Sequence, residues 1–185
     1  MEIISLFTQR HERAQLEQQR RRLYRIAYSW CHDGSLAEDL VQETLIRALE
    51  RASQLRDPER LPAWLAAILV NCWRDHLRRL KPTDDIADLE ETLFDDDEHS
   101  PERSAECSQL VRRVRDEIAA LPVGQRQVLT LVDLEDFSYA EVAEALDIPV
   151  GTVMSRLCRA RQALKGRLQA ARERAAATPA LRSVK

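Results

Sequence analysis

Residues 137–165 read F-S-Y-A-E-V-A-E-A-L-D-I-P-V-G-T-V-M-S-R-L-C-R-A-R-Q-A-L-K. Ser138 with Glu141 three residues on is a capping box, so a helix starts there with its first N–H groups satisfied. Val142, Ala143 and Leu146 give that helix one apolar face. Asp147-Ile148-Pro149 stops it, because proline cannot continue a helix and pushes its predecessor toward extended geometry. A second helix opens near Gly151 or Thr152. Its apolar residues Val153, Leu157, Ala160 and Leu164 are spaced four, three and four apart, which makes one stripe on a helix of 3.6 residues per turn. The other face carries Thr152, Ser155, Arg156 and Arg159, flanked by Arg161 and Lys165. Hydroxyl and guanidinium groups on a helix with one buried stripe suit the major groove of DNA. The same pattern also describes a helical hairpin with a solvated basic face.

Outward from this hairpin, the composition predicts an all-α protein: glycine is scarce in the 185 residues, and alanine, leucine, glutamate and arginine dominate. The net charge of −3 conceals an asymmetry. Residues 1–80 carry +2, residues 81–110 carry −9 and residues 111–185 carry +4. The expected architecture is two small helical domains joined by an acidic linker, the C-terminal one containing the helix-turn-helix. The boundaries are 1–80, a linker over 81–107, a second domain over 108–172 and a flexible tail over 173–185. No apolar run reaches the roughly 20 residues of a membrane span, and the arginine-rich opening is no secretory signal. Cys31, Cys72, Cys107 and Cys158 show no CxxC spacing, which argues for free thiols in a reducing compartment. Cys72 and His76 lie one helical turn apart, a spacing that more often belongs to a core than to a metal. No metal or other cofactor is expected, nor is an enzyme: there is no nucleophile–base arrangement and no phosphate loop.

In the N-terminal part, the run Arg20-Arg21-Arg22 with Arg25 reads as a solvated face. Asp33-Gly34 is a turn, and Ser35 with Glu38 is a second capping box opening a helix to about Ala52. Ala37, Val41, Leu45, Ala48 and Ala52 mark its buried side. Asp39, Gln42, Glu43, Ile46 and Glu50 point the other way, an apolar centre with an acidic rim that suits a protein partner. A third helix runs from about Pro62 to Leu80. Ala67, Asn71, Arg74, Asp75 and Arg78 line one side, with Arg79 beside them, and Trp64 and Trp73 add aromatic surface. Aromatic and basic groups together can stack bases and neutralise phosphates; a pair of core tryptophans and an arginine-rich helix end explain them as well. A helix from about Glu106 to Leu121 and another from Gly124 to Leu134 complete the set.

The runs A-E-D-L-V-Q-E-T at 37–44, W-L-x-x-I-x-x-N-x-x-x-D-x-x-R-R at 64–79, L-P-x-x-x-R-x-V at 121–128 and S-Y-x-E-V-A-x-x-L-x-I-P-V-G-T-V-x-S-R-L-x-R-A-R at 138–161 occur in this order. Together they resemble a bacterial sigma factor of the sigma-70 family, most closely the small extracytoplasmic-function group. The resemblance spans about residues 20–168. It implies a transcription initiation factor that gives RNA polymerase its promoter choice. It places docking on the β′ clamp helices at Asp39, Leu40, Gln42, Glu43 and Ile46. It places opening of the −10 element at Arg56, Arg60, Leu61, Trp64, Asn71, Arg74, Arg78 and Arg79. Reading of the −35 element falls to Thr152, Met154, Ser155, Arg156 and Arg159, with the β flap held by the C-terminal domain. Implied partners are core polymerase, promoter DNA and an anti-sigma factor, with no membrane insertion and a cytoplasmic location. Met154 departs from the lysine or arginine of many relatives, and Leu61 from their phenylalanine. About 25 linker residues extend to roughly 80 Å, against roughly 58 Å between promoter boxes about 17 base pairs apart. The acidic strap therefore spans the two boxes only when stretched, and its charge suits the RNA and template path of the polymerase. A stand-alone helix-turn-helix regulator and a protein-binding helical adaptor are the rival readings.

Overall fold

The computed structural model describes residues 10–80 and 105–177. All regular elements among them are helical: α1 (Arg10–Cys31), α2 (Gly34–Glu50), α3 (Leu61–Leu80), α4 (Ala105–Ala119), α5 (Val123–Leu129), α6 (Tyr139–Leu146) and α7 (Val150–Ala177). The all-α expectation holds. Of the linker expected over 81–107, residues 81–104 lie outside the described residues, and 105–107 already belong to α4.

α1, α2 and α3 form a bundle. Leu23, Ile26, Ala27 and Trp30 face Ala37, Leu40, Val41 and Ala48 of α2, and Leu65, Leu69, Cys72, Trp73 and Leu77 of α3. The turn between α1 and α2 is made by His32, whose φ of 55° is left-handed. It leaves Asp33 extended, and Asp33 rather than Ser35 is the cap: its carboxylate accepts from the N–H groups of Ser35 at 2.7 Å and Leu36 at 3.0 Å. The helix therefore starts one residue before the expected box, and Glu38 instead accepts from Arg20 at 2.9 Å. Thr44 is fully buried, its hydroxyl donating to the Leu40 carbonyl at 2.7 Å. Two short 3-10 turns, Ala52–Gln54 and Pro58–Arg60, lead into α3, the second capped by Asp57 on the N–H of Glu59.

In the C-terminal half, the helix expected over 124–134 is regular only to Leu129. From Thr130 to Leu134 the chain widens into a π turn, closed by a bond from the Phe137 N–H to the Leu131 carbonyl at 3.0 Å. Ser138 caps α6 as the sequence requires. Its N–H reaches Glu141 at 2.8 Å, and the Glu141 N–H returns to the Ser138 hydroxyl at 3.3 Å. The Ser138 hydroxyl, at 2.7 Å from the Glu141 carboxylate, and the Ser138 N–H together hold the Glu141 carboxyl below its ordinary pKa. Asp147 ends α6 in the left-handed region at φ 51°. α7 then begins at Val150, earlier than expected, with Val153, Leu157 and Ala160 buried. It runs on through Ala177, so residues 173–177 are helical rather than tail; 178–185 lie outside the described residues.

The two bundles share one continuous core, with α3 lying against α6, and α1 against α4, α5 and the π turn. Polar bonds stitch the seam. Glu135, only 5% exposed, accepts from Arg22 Nε at 3.0 Å and from two nitrogens of Arg25 at 3.0 Å each; the Arg22 guanidinium lies 4.3 Å over the Phe137 ring and also bonds the Glu135 carbonyl. The arginine run of α1 is thus partly a clasp, not the solvated face its charge suggested. Buried Arg126 donates to the carbonyls of Trp30 and Ala119 at 2.5 Å and of Leu121 at 3.0 Å, joining the ends of α1 and α4.

Candidate polymerase and promoter interfaces

α2 turns Asp39 and Gln42 to solvent, with Ile46 52% exposed and Glu50 exposed at the far end. Leu49, 48% exposed and three residues after Ile46, completes the apolar centre. Sequence reasoning passes over it in favour of the acidic positions, although its i+3 spacing places it on the Ile46 face. Leu40 does not belong to this surface. It is 5% exposed, because a step of about 100° from Asp39 carries it into the core beside Val41. Glu43 is half-buried: it accepts from Arg47 at 2.8 Å, and Arg47 also donates to Asp75 of α3 at 2.8 Å.

On α3 and the loop before it, Arg56, Asn71, Arg78 and Arg79 are exposed, while Leu61, Trp64 and Arg74 are half-buried. Trp73 is not surface: it is 3% exposed and stacks on His76 with ring centres 5.6 Å apart. Cys72 is core, receiving the Thr44 hydroxyl at 3.7 Å. Among the described residues, no group of three His, Cys, Asp or Glu side chains is placed to hold a metal. No described helix is long and apolar enough to cross a membrane. Two of the arginines on this surface are engaged by α6: Arg60 pairs with Glu144 at 2.5 Å, and Arg74 donates to the Leu146 carbonyl. Burial lowers the Arg74 pKa, with Asp147 opposing the shift.

α7 presents Met154 (53% exposed), Ser155 and Arg159 to solvent, with Thr152 and Arg156 half-buried. Arg159 is steered by Ser155, donating to its carbonyl at 3.3 Å and its hydroxyl at 3.4 Å. Arg156 folds over Gly124 at the start of α5, where a Cβ would stand 2.7 Å from the guanidinium. Arg161, on the flank, is bidentate to Asp133 at 2.6 and 3.0 Å and so ties α7 to the π turn.

A helix-turn-helix with a basic, hydroxyl-bearing outer face, and a three-helix bundle with an acidic, apolar-centred face, are thus carried on one chain. Residues 16–83 match the family described as sigma-70 region 2, and residues 112–164 the family described as sigma-70, region 4. The RNA polymerase sigma-H factor of Pseudomonas aeruginosa is 34% identical over 75% of this chain and 76% of its own. The chain belongs to the sigma-70 family of sigma factors. The extracytoplasmic-function group is indicated by the ECF RNA polymerase sigma-E factor of Haemophilus influenzae, 35% identical over 71% of this chain and 74% of its own. The sigma factor RpoE of Bartonella quintana, solved in complex with the anti-sigma factor NepR, has a similar structure: TM-score 0.70, 26% identity, 85% of this chain and 96% of that one. CnrH, solved with the cytosolic domain of CnrY, has a TM-score of 0.62, 26% identity, and coverage of 91% and 94%. As a sigma factor, the chain binds core RNA polymerase and promoter DNA and directs promoter-specific initiation.

Proposed function

We propose that the labour divides along the two bundles. Residues 1–80 dock on the β′ clamp helices and open the −10 element, residues 108–172 read the −35 element and hold the β flap, and the strap over 81–107 spans them. The observation that carries the docking assignment is the exposed Ile46–Leu49 pair inside the rim of Asp39, Gln42, Glu43 and Glu50. An apolar centre with a charged rim is how a protein interface is built. Leu40 supports this face from beneath rather than touching the polymerase. On α3, Trp64 offers a stacking surface, while Arg56, Arg60, Asn71, Arg74, Arg78 and Arg79 surround it with donors for phosphates and base edges; Leu61 shapes the floor. Extruding a base costs a few kcal/mol, which these contacts offset on the single strand. Thr152, Ser155, Arg156 and Arg159 supply the −35 contacts. Met154 contributes apolar contact where a cation would give a phosphate bond, so thymine methyl groups are its natural neighbours.

The protein performs no covalent chemistry, acts in the cytoplasm where the polymerase is, and is held by an anti-sigma factor as RpoE of Bartonella quintana is by NepR. Reconstituted run-off transcription with core polymerase on a promoter library tests the whole. Wild-type protein should yield defined start sites, and Ile46→Glu should abolish them together with polymerase binding while leaving helicity intact. Specific duplex binding at full strength without polymerase would instead favour the stand-alone regulator.

A further inference from the structure

The outer face of α3 carries one acid among its donors. Asp75 stands four residues after Asn71 and three before Arg78, so it shares their side of the helix. A carboxylate on a face that meets phosphates repels them, which weakens binding unless its charge serves another purpose. Both oxygens of Asp75 are engaged. Oδ2 accepts from Arg47 Nη1 at 2.8 Å, and Oδ1 lies 3.5 Å from Arg78 Nη1. Arg47 is held from its other side as well, its Nε donating at 2.8 Å to Glu43 on the rim of the docking face. The bonds to Asp75 and then Glu43 raise the Arg47 pKa above its ordinary value. A polar chain Glu43–Arg47–Asp75–Arg78 therefore runs from α2 to the strand-facing side of α3. Its two arginines are gripped differently. Arg47 is half-buried and forked between two carboxylates, whereas Arg78 is exposed and meets Asp75 through one nitrogen. So exposed a pair adds little stability, and a guanidinium has five N–H donors. Arg78 thus keeps most of its donors for a ligand, while Asp75 narrows the directions in which it can point.

We propose that Arg47 and Asp75 are positioning residues for promoter-strand binding: Arg47 fixes the Asp75 carboxylate, and Asp75 aims the Arg78 guanidinium at a backbone phosphate. Both act through Arg78 rather than on the strand. An arginine already held in one direction loses less rotamer freedom when the phosphate arrives. This rests on the assignment of Arg78 to strand binding.

The test uses the full chain assembled with core polymerase and a fluorescein-labelled, random-sequence single-stranded DNA 15-mer, since a phosphate contact needs no particular sequence. Anisotropy is read over a series of salt concentrations, with core polymerase alone as the blank. Each holoenzyme is isolated before titration, so a docking difference does not enter the reading. Arg78→Ala should weaken binding about fivefold to tenfold and lower the slope of log K against log salt by about 0.7, the share of one phosphate on a single strand. Asp75→Asn should weaken it about threefold although it removes a negative charge, because an amide has one acceptor oxygen and turns its NH2 toward whichever arginine that oxygen does not serve. Arg47→Lys leaves the charge unchanged and should still weaken binding about twofold to threefold, because an ammonium is a point charge without the planar fork. Glu59→Gln takes an exposed carboxylate from the turn before α3 and should leave binding equal or slightly tighter. In an Arg78→Ala background, Asp75→Asn should cause no further loss. A loss that persists there would mark Asp75 as merely structural and overturn the proposal. Tighter binding in Asp75→Asn, as in Glu59→Gln, would reduce it to bulk charge and overturn it equally. An Arg78→Ala holoenzyme that binds the strand like wild type, with the salt slope unchanged, would remove the strand assignment itself and the proposal with it.

Discussion

Arg126→Leu is the substitution with the largest consequence this structure specifies. The guanidinium is 6% exposed and donates to three carbonyls, of Trp30, Ala119 and Leu121, at the ends of two helices. Helix ends leave such carbonyls without partners of their own. Each one stranded in the interior costs about 1–3 kcal/mol. The gain on the other side is that a cation no longer has to be kept from water, a real cost here, since burial pulls the Arg126 pKa down to about 10. The net is a loss of about 3–5 kcal/mol, against a total stability of about 5–15 kcal/mol for a domain. Urea unfolding reads it with two probes. Circular dichroism follows every helix, whereas fluorescence follows Trp30, Trp64 and Trp73, all in the first bundle. Both midpoints should fall together, because one side chain holds the end of α1 and the end of α4. A fluorescence midpoint that stayed in place while the dichroism shifted would refute the reasoning, showing that the Trp30 bond carries nothing. A combined loss below about 1 kcal/mol would refute the magnitude.

Three further outcomes are expected. His32 is held mainly by burial at a pKa of about 4, against 6.5 when free. The unfolded chain therefore takes the proton first, and stability falls as pH drops from 6.5 toward 4 and is complete above that window. His32→Asn, which tolerates the left-handed turn, should remove about 1–2 kcal/mol of that slope in melts at pH 7 and pH 4.5, allowing for the part of the ring that solvent screens; an unchanged slope would assign it to carboxylates. Gly166→Ala meets open space and should stabilise α7 by about 0.5–1 kcal/mol, while Gly124→Ala must displace Arg156 and should gain less and weaken −35 binding; equal gains at the two sites would count against the contact. Asp33→Ala should cost about 1 kcal/mol in thermal melts and Ser35→Ala no more than about 0.5, the reverse of what a Ser35 capping box requires.

The helix-turn-helix is legible to within a residue or two because its signals are local: a hydroxyl and a carboxylate three apart, a proline, and a stripe at helical spacing. The buried side of α2 is legible for the same reason. Asp33 takes the cap from Ser35 because a neighbouring residue, His32, adopts a backbone angle that no pattern announces. Motif matching puts Leu40 on the surface, and phase, at about 100° per residue, carries it inside; Trp73 is the core tryptophan that the pattern already allowed. The seam is invisible for a different reason. Arg22 and Glu135 are separated by 113 residues, and nothing in a run of arginines says which carboxylate it will meet. Arg126 is visible as part of a signature, yet its three acceptors are main-chain atoms, which a sequence does not distinguish. Family membership fixes what the chain is, while the roles of the individual arginines rest on the substitutions above.

The π turn from Thr130 to Leu134 closes its bonds one residue later than an α-helix would, and so holds one residue more than a regular turn. That surplus rotates the downstream chain by about 100° relative to an unbroken helix. Glu135 meets Arg22 and Arg25 because of this change of phase. A one-residue deletion within 130–134 would restore regular winding while swinging Glu135 off its arginines and shifting the platform from which Ser138 launches α6. Length variation at this point would thus act as a rotary adjustment of one bundle against the other, with the hydrophobic sequence on either side left untouched.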